Sequence, residues 1–416
     1  MKRFFLYAMM AGGILASCSQ SENDDLSQDV TGGSEVQSAE KISLSASSPN
    51  VGVDVQTRAG SVGADQNRTD EIGWKGETLY IYACEKEPDG DQAGVLRKRN
   101  GSLDFMLKGE SAYVKSGGQE NSIEWGTATT PTTAKYYNRE GAYAFFGCHI
   151  GDLNLEELKE SNNMYGLLLQ IDGTQDLMNA TAEITSEMVS KMGSGKMHQA
   201  FSAFSARHQV EPKLEFQHQL TRLSFKAVRG GENDAEKDKA KNVCVKSIKV
   251  KSHDKVFLPV VYDCYDSNGK AKTRPIIPED SEAELELKER TEEGLMQPLT
   301  QANCYLTEDK QIGEALMIYP KNKKEIEVII ELYQEKDAND NLIPGPTTEG
   351  EQDKRREVIK KSVKLNNGAD FQPGHSYNLV ITVYSLQDVS ITAKLTNWEN
   401  AGDVNVNEGD FEDTQK

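Results

Sequence analysis

Apolar and polar residues alternate with a period of two along most of this chain, and that period is the signature of strands with one face buried. It is clearest at 78–84 (TLYIYAC), 142–148 (AYAFFGC), 213–220 (KLEFQHQL), 222–228 (RLSFKAV), 245–251, 325–333, 357–365, 377–386 and 390–395. Turn chemistry separates the runs, as in DSNGK at 266–270 and NNGAD at 366–370. Helical stretches are few and short, chiefly 153–161 and 233–242. Near the start, Ile42, Leu44 and Ala46 alternate with polar residues. Pro49-Asn50 interrupts, and Val51, Val53 and Val55 resume the pattern, so one or two short strands are expected to end at Arg58. Many short strands with turns between them predict an all-β protein made of β-sandwiches, not a βαβ sheet. The irregular SARHQVEP at 205–212 marks the expected domain boundary, and the polar loop 336–354 is long enough to carry function.

The first residues do not follow this period. Lys2 and Arg3 precede the apolar run FFLYAMMAGGILA, which is too short for a membrane span of roughly 20 residues. It reads as a leader. The stretch LASC ending at Cys18 resembles the lipobox of bacterial lipoproteins, in which the cysteine thiol is acylated and the leader is removed. Several acyl chains, palmitate among them, suffice to hold a protein on a bilayer. The acidic SENDD that follows resembles an export signal to the outer face of an outer membrane, and 19–40 reads as a disordered tether.

The chain of 416 residues has room for a leader, a linker and about two domains, and its net charge of −19 argues against nucleic acid and anionic lipid as partners. Six cysteines are present; setting Cys18 aside leaves Cys84, Cys148, Cys244, Cys264 and Cys304, an odd number with no CxxC spacing. Buried thiols are the default reading, and the disulfide state stays open.

Candidate chemistry falls away on inspection. MGSGKM (192–197) lacks the first glycine and the hydroxyl of a phosphate loop. DANDN (337–341) begins like a calcium loop, but Leu342 and Thr348 occupy its glycine and glutamate positions; it reads as a polar hairpin tip. His218 shares a strand face with Leu214, Phe216 and Leu220, so it reads as a buried imidazole held by a neighbour. No acid, base and nucleophile assemble. No enzyme, cofactor or metal site is expected.

Several stretches, in order along nearly the whole chain, resemble the fimbrillin family of surface-pilus subunits from Gram-negative anaerobes. They are the lipobox at Cys18, TRAG (57–60), DLMNA (176–180), FQHQLTRLSF (216–225), ALMIYP (315–320), FQPGHSYNLVITV (371–383) and ITAKLTNWENAG (391–402). The resemblance implies two tandem β-sandwich domains of transthyretin-like, Greek-key type with a few short helices. The implied division is a signal peptide at 1–17, a lipid-anchored tether and removable first strand at 18–58, an N-terminal domain at 59–210, a C-terminal domain at 211–400 and an acidic tail at 401–416. It also implies an outer-membrane lipoprotein exported to the surface and cut by an arginine-specific protease between Arg58 and Ala59. Loss of the first strand would open a groove that a strand of a neighbouring subunit fills, building an adhesive fimbria. The tail, with only Val404, Val406 and Phe411 as large apolar residues, suits a tip that accepts a strand without donating one; in a stalk it would dock weakly, or the strand at 390–398 would swing out as donor instead. An anchor ranks third. The partners implied are other fimbrial subunits, the outer membrane through Cys18, and host or bacterial surface ligands. The alternative is a monomeric surface lipoprotein binding glycan or host protein through loops such as 336–354.

Overall fold

The structure is a computed structural model. It describes residues 39–47, 76–87, 95–115, 121–193, 195–263, 274–279, 282–300, 306, 311–319, 324–348, 350–365 and 368–396.

Among these residues the chain is all-β with a few short helices, as the alternation predicts. In chain order the first strands are β1 (Leu44–Ser47), β2 (Thr78–Glu85), β3 (Phe105–Lys115), β4 (Asn121–Trp125), β5 (Tyr143–His149), β6 (Lys159–Ser161), β7 (Met164–Gln170) and β8 (Met178–Thr181). Two helices follow, α1 (Ser186–Met192) and α2 (Ala203–Arg207). Thr185 caps the first, accepting from the Met188 amide, and Ser202 with Ser205 forms a capping box on the second. Next come β9 (Lys213–Glu215), β10 (Gln217–His218), β11 (Thr221–Arg229), the helical turn α3 (Asp234–Lys237), β12 (Val243–His253), β13 (Lys255–Tyr262) and β14 (Ile277–Pro278). The last are β15 (Glu282–Glu286), β16 (Gln311–Ile318), β17 (Glu325–Gln334), β18 (Arg356–Lys364), β19 (Ser376–Ser385) and β20 (Asp388–Thr396).

An eight-stranded sheet runs β9-β1-β4-β3-β2-β5-β8-β10. A bridge between Ala182 and Leu214 brings its β8 side against β9, so the sheet curls closed. Inside lies a core of Ile42, Leu44, Ala46, Leu79, Ile81, Phe145, Leu214 and Phe216, among others, with Met192 and Phe201 from the helical segment over it. A four-stranded sheet, β14-β13-β7-β6, contributes to a second core, where Tyr82, Phe146 and Cys148 from β2 and β5 meet Leu167, Leu169, Val256 and Leu258. Strand β5 is therefore buried on both faces, which is why AYAFFGC reads as a nearly unbroken apolar run.

The remaining strands make a sandwich. Sheet β16-β11-β19-β20 faces sheet β15-β12-β17-β18 across a third core that includes Leu223, Phe225, Val250, Val328, Ile330, Leu379 and Ile381. Strand β11 pairs in parallel with β19 and antiparallel with β16.

The helix expected at 153–161 does not form. Leu153, Leu155 and Leu158 pack against the second core from an extended chain, and 159–161 is strand β6. It turns into β7 through Asn162 and Asn163, both at positive φ, 50° and 60°, the geometry of a tight two-residue hairpin. The helical turn expected within 233–242 is present, capped by Asn233. The hairpin expected at 266–270 lies outside the described residues.

Candidate functional site

Strand β1 has the position of a core strand and the length of a peptide. It lies between β4, to which it is antiparallel, and β9, to which it is parallel. Main-chain bonds extend beyond its ends on both sides. Ile42 N–H donates to the Lys135 carbonyl (2.9 Å), Tyr137 N–H to Glu40 (2.9 Å), Ser45 N–H to Pro212 (3.3 Å) and Phe216 N–H to Ser47 (2.9 Å). The side chains of Ile42, Leu44 and Ala46 point into the closed sheet and are buried. Between them Ser43, Ser45 and Ser47 stay partly exposed. Removing a segment so placed would break two ladders and uncover an apolar row.

Cys18, Arg58 and Ala59 lie outside the described residues, as do Cys264, Cys304 and Trp398. Cys84, Cys148 and Cys244 are buried thiols. Burial pushes the Cys148 thiol up from its ordinary value, which keeps it protonated and unreactive.

Three of the singled-out stretches converge on one buried polar junction. His218 Nδ1 lies 3.0 Å from the Asp176 carboxylate, and both residues are buried. The Gln219 amide donates to Asn179 Oδ1 (2.8 Å). Asn179 in turn donates to the carbonyls of Pro259 (2.8 Å) and Arg274 (3.0 Å). DLMNA and FQHQL are thus bonded residue to residue. FQPGHSY joins them: Gly374 N–H donates to Leu220 O (2.9 Å), Thr221 Oγ1 to Gln372 O (2.6 Å) and Arg222 to Ser376 Oγ (3.2 Å). Gly374 sits at φ 70°, a conformation glycine adopts without strain. Burial lowers the Arg222 pKa, against the opposing pull of Asp176 and Glu314. Next to this junction His149 is buried with Nδ1 on the Thr78 carbonyl (2.9 Å). Its Nε2 has no hydrogen-bond partner, and burial lowers its pKa. His218 is therefore a held core imidazole, as its register predicts. The pairing of Asp176 and Asn179 with it and Gln219 escapes sequence reading, although polar residues on an apolar row are a signal that partners exist.

DANDN is a hairpin tip. The Asp337 carboxylate accepts from the Asn339 and Asn341 amides, each at 2.9 Å, and the Asp340 carboxylate takes Lys241 and Asn242, each at 3.0 Å. An ammonium group already supplies the positive charge there. Among the described residues no group of three or more His, Cys, Asp or Glu side chains could hold a metal ion, and no helix is long and apolar enough to cross a membrane.

The outer face of sheet β15-β12-β17-β18 carries paired charges. Lys251 meets Glu282 (3.1 Å), Lys249 meets Glu284 (4.0 Å), Lys364 meets Glu325 (3.2 Å) and Arg356 meets Glu331 (3.5 Å). Rows of opposite sign on neighbouring strands make this a solvated face.

No family model matches the chain, and no curated protein matches it. Solved structures do resemble it. One is described as a candidate cell adhesion protein from Bacteroides uniformis, with 12% identity, a TM-score of 0.42 and coverage of 86% of this chain and 98% of that one. Another, described in the same words, is from Bacteroides ovatus, with 14% identity, a TM-score of 0.42 and coverage of 88% and 100%. The fimbrial anchor protein from Porphyromonas gingivalis shares 11% identity at a TM-score of 0.30, over 85% of this chain and 98% of that one. The chain is similar, over most of its length and theirs, to proteins described as adhesive or fimbrial.

Proposed function

We propose that the chain is a fimbrillin-type subunit of a cell-surface fimbria, made as a lipoprotein and assembled by strand exchange. In this reading Cys18 is acylated and holds the precursor on the outer membrane. A protease cuts between Arg58 and Ala59, and the released segment takes β1 with it. A strand from a neighbouring subunit then enters between β4 and β9. The role at a tip or in a stalk belongs to the same reading.

The observation that carries the reading is the seat of β1. Its burial of Ile42 and Leu44 stabilises by about 1.5–3 kcal/mol per side chain. Losing it leaves unpaired amides and carbonyls on two strands at once, a state that favours any strand able to fill the slot. Arg58 follows β1 by 11 residues, inside a stretch with Gly60, Ser61 and Gly63, which suits a protease. Nothing among the described residues favours binding through 336–354 as a separate activity. Several of that loop's polar groups bond within it or to its flank, with Glu351 on Thr347 and Asp353 clamping Arg355.

The test is Arg58→Ala in the full chain on its native cells. Subunits joined by exchanged strands dissociate slowly, so surface material of the parent chain is expected to run as a detergent-resistant ladder that Arg58→Ala abolishes. A ladder that survives the substitution, or no ladder from the parent chain, contradicts the proposal.

A further inference from the structure

The slot under β1 is graded in size, and the grading says what can enter it. The inward row runs Ile42, Leu44, Ala46, that is large, large, small, with serines at 43, 45 and 47 between and after. Leu44 is paired with Ile123 on β4, whereas Ala46 is level with Leu214 on β9. On the β9 side the interior is filled through to the opposite wall. A Cβ added to Gly147 on β5 would lie 2.7 Å from Phe216 Cζ and 3.3 Å from Leu214 Cδ1. Leu214 and Phe216 therefore lie close over Gly147 of β5, so Leu214, level with Ala46, has little room to shift toward that wall. Enlarging the buried side chain at position 46 is expected to cost packing energy.

We infer that this slot, on the strand-release reading above, receives a strand of another polypeptide whose inward residues run large, large, small in the direction of β1, and that it rejects this chain's own C-terminal tail. Direction matters because β1 is antiparallel to one neighbour and parallel to the other, so a reversed strand changes both ladders. The chain carries two alternating runs near its start, and the one seated is 42–46, which ends in alanine. The other, Val51, Val53 and Val55, places a branched residue third. In the tail the run Val404, Val406, Glu408 would put a carboxylate in the Ala46 position, where burial without a partner is costly. The register Gly402, Val404, Val406 reverses the size order, and Trp398, Asn400, Gly402 puts an amide in the second site. Exchange through this tail is thereby disfavoured; the chain's other large, large, small run, Val389, Ile391 and Ala393 of β20, is packed in the third core.

The test uses the full chain with a site-specific protease sequence in place of 56–60, cut and then offered labelled peptides in excess. The peptides are KISLSASS (residues 41–48), the same peptide with Ala46→Leu, and GDVNVNEGD (402–410). The first is expected to exchange into the slot, the leucine peptide to bind about tenfold or more weakly, and the tail peptide to show no exchange. Equal binding of the first two, or tail binding as tight as the first, overturns the size rule while leaving strand release standing. If the cut segment never exchanges with any peptide, strand release itself fails and the inference falls with it. A second measurement guards against poor peptide behaviour. In the uncut chain Ala46→Leu is expected to lower the unfolding midpoint clearly more than Ala46→Ser, and equal midpoints contradict the inference.

Discussion

Asn179 shows what one buried amide can hold in place. Fully buried, it donates to two carbonyls and accepts from Gln219. Asn179→Ala would leave those carbonyls and the Gln219 amide without their bonds, at a cost of about 2–4 kcal/mol, to be read from urea unfolding. His149 sets a pH dependence whose sign follows from its burial. Its folded-state pKa is lowered, so the folded chain keeps the imidazole neutral while the unfolded chain takes up a proton near pH 6.5. The stabilisation is complete above about pH 6.5 and is lost as pH falls from there toward the folded-state value. The urea midpoint should therefore drop between pH 7 and 5, and the drop should be smaller in His149→Gln; an equal drop in both would show that other groups carry it.

Strands were legible wherever one face alone is buried, because the period of two then appears directly in the residue types. Strand β11 shows this best, with Leu223, Phe225 and Ala227 inward and Ser224 and Lys226 between. The run 153–161 misled because its leucines satisfy a helical and an extended reading alike, and the core that selects between them comes from distant strands. The short helix α1 escaped notice since Met188, Val189 and Met192 give it barely one turn of amphipathic pattern. The parallel pairing of β1 with β9 joins residues far apart in the chain, so no local pattern reports it. Within β1 itself, Leu44→Ala in the uncut chain should cost about 2–5 kcal/mol. On the charge-lined outer sheet, by contrast, Lys251→Ala or Glu282→Ala should each leave the unfolding midpoint nearly unchanged. Both comparisons are made by denaturant unfolding. A small loss for Leu44→Ala would mean that the slot is loosely packed and β1 is a poor plug.

At the scale of the molecule, two features of the chain fit one assembly scheme. A short strand plugs a closed sheet, and an arginine follows that strand in a polar stretch rich in glycine and serine. The three motifs that meet around Asp176, His218 and Gly374 tie β8, β10 and β11 to the turn before β19. The junction was not legible in the sequence, because the three motifs lie far apart in the chain and only the fold brings them together. The amino terminus of the mature protein on intact cells, read by mass spectrometry of surface-released material, tests the scheme most directly. Ala59 is the residue predicted there, with β1 gone. An acylated Cys18 still joined through an uncut Arg58 would contradict release of the strand and, with it, assembly by strand exchange.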